Sequence, residues 1–192
     1  MPNKRRILAP DTVYHITQRG NNRVAVFHTD QDRAVYLSYA AEYLERSTVK
    51  LHAYCLMGNH VHLLLSASDP EDIPELLCAL QSRYARYFNL SWHRSGSLWQ
   101  RRYRSIPVES DSHLISCFLY IDMNPVKSRL VTRPDEYAWS SYRALALGES
   151  RDILTLHQCY TNLGSTSKGR CRQYRSRMDE FLANWRSIAG LN

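Results

Sequence analysis

His60 and His62 flank a single β-branched residue in Gly58-Asn59-His60-Val61-His62-Leu63-Leu64-Leu65, and a second apolar-rich run, Leu51 to Met57, precedes them. Two such runs joined by Gly-Asn read as the strands of a tight hairpin. Side chains alternate along a strand, so both imidazoles fall on one face, roughly 7 Å apart, with Val61 on the other. Paired imidazoles are half of a site for a divalent ion such as Zn²⁺ or Mn²⁺. Taken alone, the pair reads more readily as hydrogen-bonded core or surface histidines. The rest of the chain has to decide.

A second constellation lies further on. From Asp111, a residue suited to capping, Leu114, Ile115, Phe118, Leu119 and Ile121 recur at helical spacing up to Asn124-Pro125. The helix is expected to end there, because the residue before proline is biased out of the helical region. Tyr120 and Asn124 stand four apart and share a face. With the histidine pair, they fit phosphodiester cleavage, which needs a nucleophile, a Lewis acid and a way to position the strand. In that reading His60, His62 and Asn124 hold a divalent ion. Mg²⁺ prefers oxygen donors, so Mn²⁺ should serve at least as well. Tyr120, with a free pKa of about 10, attacks as phenolate and leaves a 5′-phosphotyrosine and a free 3′-hydroxyl. The covalent bond keeps the phosphodiester energy, so the cut can be rejoined without ATP. Against this, a tyrosine among Leu, Phe and Ile is usually a packing residue.

The totals favour an anionic partner. In 192 residues, 25 Lys and Arg face 18 Asp and Glu, giving a net charge of +7, and 13 tyrosines dominate the aromatics. Cations meet phosphates and aromatic faces stack on unpaired bases. The five cysteines are odd in number and widely spaced, with no Cys-x-x-Cys pair. They indicate neither a disulfide framework nor a zinc ribbon, and fit a cytoplasmic protein. The apolar stretch after Lys4-Arg5-Arg6 is too short for a signal segment, and no run approaches a membrane span.

The elements that must position these residues follow from periodicity. Residues 1–10 form a basic arm. Thr12 to Arg19 alternates as a first strand, and Gly20-Asn21-Asn22-Arg23 turns the chain. Thr29-x-x-Asp32 is a capping box for a helix over 30–46, and Asp72-x-x-Glu75 a second one, opening the stripe Ile73, Leu76, Leu77, Leu80, Tyr84 and Phe88. Leu98 to Val108 reads as a strand on which Trp99, Arg101 and Tyr103 share one face and Arg102 and Arg104 the other. As a DNA surface these five weigh equally against a charged edge strand that resists aggregation. Residues 164–169 read as a linker and 172–188 as a last helix approached by Arg170 and Arg172, further candidates for DNA contact. His15 and Cys55, the latter opposite His62, read as packing or supporting residues. The order of elements predicts an α+β fold, a ferredoxin-like antiparallel sheet with helices packed on one face, plus a C-terminal helical extension. The expected division is a catalytic domain over 1–147 and a basic helical extension over 148–192.

Several ordered motifs resemble one family. Gly58 to Leu65 and Tyr120-Ile121-Asp122-Met123-Asn124-Pro125-Val126-Lys127 are similar to the HUH single-tyrosine transposases, and in particular to the REP-associated tyrosine transposase branch. Tyr14-His15-Ile16-Thr17, Leu98-Trp99-Gln100 with Arg102-Tyr103, and Trp139-Ser140-Ser141-Tyr142 match that branch too. The resemblance covers roughly 10–145. It implies metal binding by His60 and His62, a Tyr120 nucleophile, and cleavage of single-stranded DNA near REP-like palindromic hairpins. Asn124 stands where insertion-sequence relatives carry glutamine. The resemblance leaves monomer and homodimer both open. Two other classes stay in view: a non-catalytic hairpin-binding module, and a hydrolase using a His-held metal and activated water.

Overall fold

The computed structural model describes residues 8–188; most of the basic arm lies outside them. Strands β1 (Tyr14–Arg19), β2 (Val49–Met57), β3 (His60–Ala67) and β4 (Arg104–Pro107) form one antiparallel sheet in the order β2-β3-β1-β4. Helices α1 (Asp30–Leu44), α2 (Asp72–Ser91), α3 (Asp111–Lys127), α4 (Gln158–Thr161) and α5 (Ser167–Ile188) surround it. The α+β class and the antiparallel sheet are as expected. Leu8, placed in the basic arm by sequence, is instead part of the core.

The covering differs from the one-face expectation. Helices α1 and α2 pack on the face carrying Ile16, Tyr54, Val61 and Leu63. Helix α3 packs Leu114, Phe118 and Ile121 on the opposite face against Ala53, Cys55 and Leu64. The reason is visible in β2 and β3, which are buried on both faces almost throughout. Strands that are apolar on both sides need cover on both. The C-terminal segment joins the second core through Tyr160, Tyr174 and Met178.

Local chemistry accounts for the boundaries. Thr29 and Asp32 form the reciprocal capping box at α1. The second expected box is absent: α2 starts without a side-chain cap, and the Asp72 carboxylate accepts from the Thr48 amide at 2.6 Å instead. Ser110, one residue before Asp111, caps α3 by accepting from the His113 amide. Helix α3 also runs past Asn124-Pro125 to Lys127. Pro125 has no N–H for the Ile121 carbonyl, but the Asn124 side-chain amide donates to that carbonyl at 3.3 Å and to Tyr120 O at 2.8 Å. The side chain replaces the bond that proline removes, so the helix continues. The outer edge of β2 is covered by 139–141, where Leu56 N donates to Trp139 O and Ser141 N to Tyr54 O.

Candidate active site

Register in the sheet sets one row of side chains. His62 pairs with Thr17 on one side and Cys55 on the other, and Thr17 pairs with Arg104. Directly paired residues share a face, so Cys55, His62, Thr17 and Arg104 all point towards α3. His60 pairs with Arg19, one step along the same face. The His60 and His62 rings lie 4.9 Å apart between centroids. Helix α3 lays Tyr120 across this row, 5.9 Å between ring centroids from both His62 and His15.

Between β1, β4, α3 and the loop before β4 lies an open cleft of about 900 Å³, lined by His15, His62, Tyr120, His113 and four arginines. Among the described residues no carboxylate lines it. Its field therefore favours an anionic strand. Tyr120 is 38% exposed, enough to be reached. Lys127 sits two turns along the same helix face, with Nζ 4.5 Å from the Tyr120 ring centroid.

The three histidines are uncharged at neutral pH. Burial, with smaller contributions from Arg104 and His113, pushes His15 down to about 4. Burial and then Arg19 bring His60 to about 4. Burial, His60 and His15 hold His62 well below the usual imidazole range. Neutral imidazole is the form that binds a metal. The donors fit an ion in one specific respect: His62 Nε2 is buried with no hydrogen-bond partner among the described residues, a costly state that a cation would relieve. The donor set is short, however. Among the described residues no three His, Cys, Asp or Glu converge as metal ligands. Asn124 commits its Nδ2 to its own helix, which leaves Oδ1 as its donor atom. His60 and Asn124 do not line the cleft.

The DNA candidates divide. Arg101, Arg102 and Arg104 are exposed and line the cleft. Trp99 and Tyr103 are core residues, 9% and 5% exposed, and cannot offer faces for base stacking as they stand. The cause is that 98–103 is not a regular strand. Trp99 Nε1 donates to Gln81 O, Gln100 N to Arg19 O, Asn21 N to Leu98 O, and Gln18 Nε2 to Arg101 O. The indole is the peg that holds an arginine loop over the cleft. Gly20 belongs to this fastening through its bridge to Trp99, and it must be glycine because a Cβ there would stand 2.4 Å from Val24 O. Arg170 borders a different hollow, and Arg170 and Arg172 lie in the first turns of α5, about 14–16 Å along the helix from Phe181, the α5 residue that reaches the cleft.

Sequence reasoning passed over His113 and Lys127 as site residues. Their signal was present, because 113, 116, 117, 120, 124 and 127 fall at spacings of three and four, one face of α3.

Comparison with known proteins gives a family and a fold. A family model described as "Transposase IS200 like" matches residues 9–124, a span that includes His60, His62, Tyr120 and Asn124. A Haemophilus influenzae protein named as a REP-associated tyrosine transposase is 26% identical over 154 residues, 74% of this chain and 86% of its own length. A solved structure of a REP-associated tyrosine transposase bound to a REP hairpin shares the fold, with a TM-score of 0.64 and 15% identity, over 83% of this chain and 93% of that one.

Proposed function

This chain belongs to the IS200-like transposase family, enzymes that nick DNA and transfer strands, and on that premise we propose that Tyr120 is the nucleophile of a single-stranded DNA cleavage at palindromic hairpins. The assignment to REP-associated transposases rests on the Haemophilus influenzae relative and on the motifs in β1, β3 and α3. A hairpin partner is supported by the structural relative, which was solved with one. The DNA and this chemistry belong in the cytoplasm. No helix among the described residues is long and apolar enough to cross a membrane.

The observation that carries the reading is the cleft itself, where an accessible phenol stands 5.9 Å from the His62 ring beneath three arginines. Arg101, Arg102 and Arg104 bind the backbone phosphates and set the strand's path. Tyr120 Oη bonds to phosphorus, its proton passes to solvent or a neighbouring base, and the P–O3′ bond breaks as O3′ takes up a proton from solvent. The products are a 5′-phosphotyrosine and a free 3′-hydroxyl. Attack of a 3′-hydroxyl on the same phosphorus reverses the step and joins strands. Lys127 favours the negative charge on Oη. His60, His62 and the Asn124 Oδ1 would hold a divalent ion, Mn²⁺ or Mg²⁺, whose contribution is Lewis-acid polarisation of the scissile phosphate. Residues 1–147 carry the chemistry, and 148–192 are an extension whose described part packs on α3.

The test is a labelled single strand bearing a palindromic hairpin, incubated with the protein and Mn²⁺. A covalent adduct that survives denaturation is expected from the native protein and not from Tyr120→Phe. Cleavage without any adduct, undiminished in Tyr120→Phe, would replace this mechanism by hydrolysis.

A further inference from the structure

His15 and His62 make a direct contact, Nε2 to Nδ1 at 2.9 Å, with their rings stacked at 5.1 Å between centroids. Two neutral imidazoles place a single proton on that line, and its side determines what His62 offers elsewhere. If His15 holds it, His62 carries its own proton on Nε2, an N–H buried with no acceptor. If His62 holds it, Nε2 is a lone pair, the form a cation can use.

His60 supplies the comparison. Its Nδ1 is 2.6 Å from Asn59 Oδ1. The Asn59 amide is oriented by its Nδ2, which donates to Arg23 O at 3.1 Å. An amide oxygen only accepts, so the His60 proton is on Nδ1 and Nε2 is unprotonated. The hairpin turn thus presets one ring. Thr17 is the other group near His62 Nδ1, but at 3.4 Å its hydroxyl is a marginal partner.

We infer that His15 is a positioning residue that does for His62 what Asn59 does for His60: its Nε2 accepts the His62 Nδ1 proton, fixing the ring and leaving His62 Nε2 unprotonated. The inference rests on the reading of His60 and His62 as metal ligands. Such supporting hydrogen bonds orient a ligand and raise its basicity, and their loss typically weakens metal binding about 10–100-fold. His15 itself coordinates nothing in this scheme.

Two measurements on the full chain test it. Long-range proton–nitrogen correlation spectra of the metal-free protein report the tautomer of each histidine, and Mn²⁺ titrations followed by electron paramagnetic resonance report affinity. In the native protein His62 is expected to be protonated on Nδ1. His15→Ala should lose that fixed tautomer and bind Mn²⁺ about 10–100-fold more weakly. His15→Gln, whose Oε1 can accept the same proton, should recover most of the affinity, with thermal melting confirming that each variant folds. A native His62 protonated on Nε2, or His15→Ala binding Mn²⁺ as tightly as native, would overturn the inference. Failure of the ligand reading looks different: His60→Ala and His62→Ala would then bind Mn²⁺ like the native chain, while the spectra still decide the role of His15.

Discussion

Lys127 Nζ lies 4.5 Å from the centre of the Tyr120 ring, held there because the two residues are seven apart on α3. Burial lowers the proton affinity of this lysine from its ordinary value, and the phenol brings it a compensating partner. A cation near a developing phenolate is worth a few kcal/mol at an effective dielectric of about 20, before solvent screening discounts it. Lys127→Met is therefore expected to slow adduct formation by about tenfold or more at neutral pH. Lys127→Arg should retain most of the rate. Single-turnover kinetics with a hairpin strand check both, and an unchanged rate in Lys127→Met would remove the lysine from the chemistry.

The arginine loop makes a second expectation. Each phosphate neutralised on a single strand contributes about 0.7 to the log-log dependence of affinity on salt. Replacing Arg101, Arg102 and Arg104 together by alanine should lower that slope by about 2. The double change Arg170→Ala with Arg172→Ala, at the far end of α5, should leave it unaltered for a strand confined to the cleft. Fluorescence anisotropy at several salt concentrations gives both slopes.

Trp99 shows why the site was only partly legible in the sequence. Alternation correctly gave the shared face of His60 and His62, and helical spacing the shared face of Tyr120 and Asn124, because both depend on one local period. Whether Trp99 faces solvent depends on Gln81 and on Gly20, distant in sequence, and no local pattern encodes it. The extension of α3 through Pro125 is a similar case, since it needs the Asn124 amide to serve the Ile121 carbonyl. Covering helices on both faces were inferable in principle from the unbroken apolar run Leu63-Leu64-Leu65.

As a buried peg, Trp99 should matter for stability more than for stacking. Trp99→Ala is expected to cost about 3–5 kcal/mol and to weaken DNA binding by loosening the arginine loop. Trp99→Phe should restore most of both, although it cannot donate to Gln81 O. Urea unfolding and anisotropy on the same samples separate the two effects. Full affinity in a destabilised Trp99→Ala would show that the loop does not need its anchor.

Asp122 ties the C-terminal helix to the helix bearing Tyr120. Its buried carboxyl accepts from Ser141 Oγ and from Tyr174 Oη, each at 2.7 Å. Burial nevertheless raises its pKa to about 7. Tyr174→Phe removes one donor from a buried acid, at an expected cost of about 1–3 kcal/mol. Denaturant midpoints should fall accordingly, and protease should cut within 167–188 before it cuts the sheet.

His52 sets a pH dependence away from the cleft. It is buried, with Nδ1 2.8 Å from Thr155 O and Nε2 2.9 Å from Ser66 Oγ. Burial brings it down to about 4, although the Thr155 carbonyl opposes the shift. The unfolded chain takes up this proton near 6.5, the folded chain only near 4, so its contribution is complete above 6.5 and is lost as pH falls through 4. The difference amounts to about 3 kcal/mol. His52→Gln should reduce the proton uptake on unfolding between pH 6 and pH 4.5 by about one. His15, His60, His62 and His157 are depressed in the same way and add slope of the same sign, whereas Asp122, raised by burial, opposes it. Urea titrations across that range measure the slope directly, and equal slopes for native protein and His52→Gln would mean that His52 is already charged in the fold.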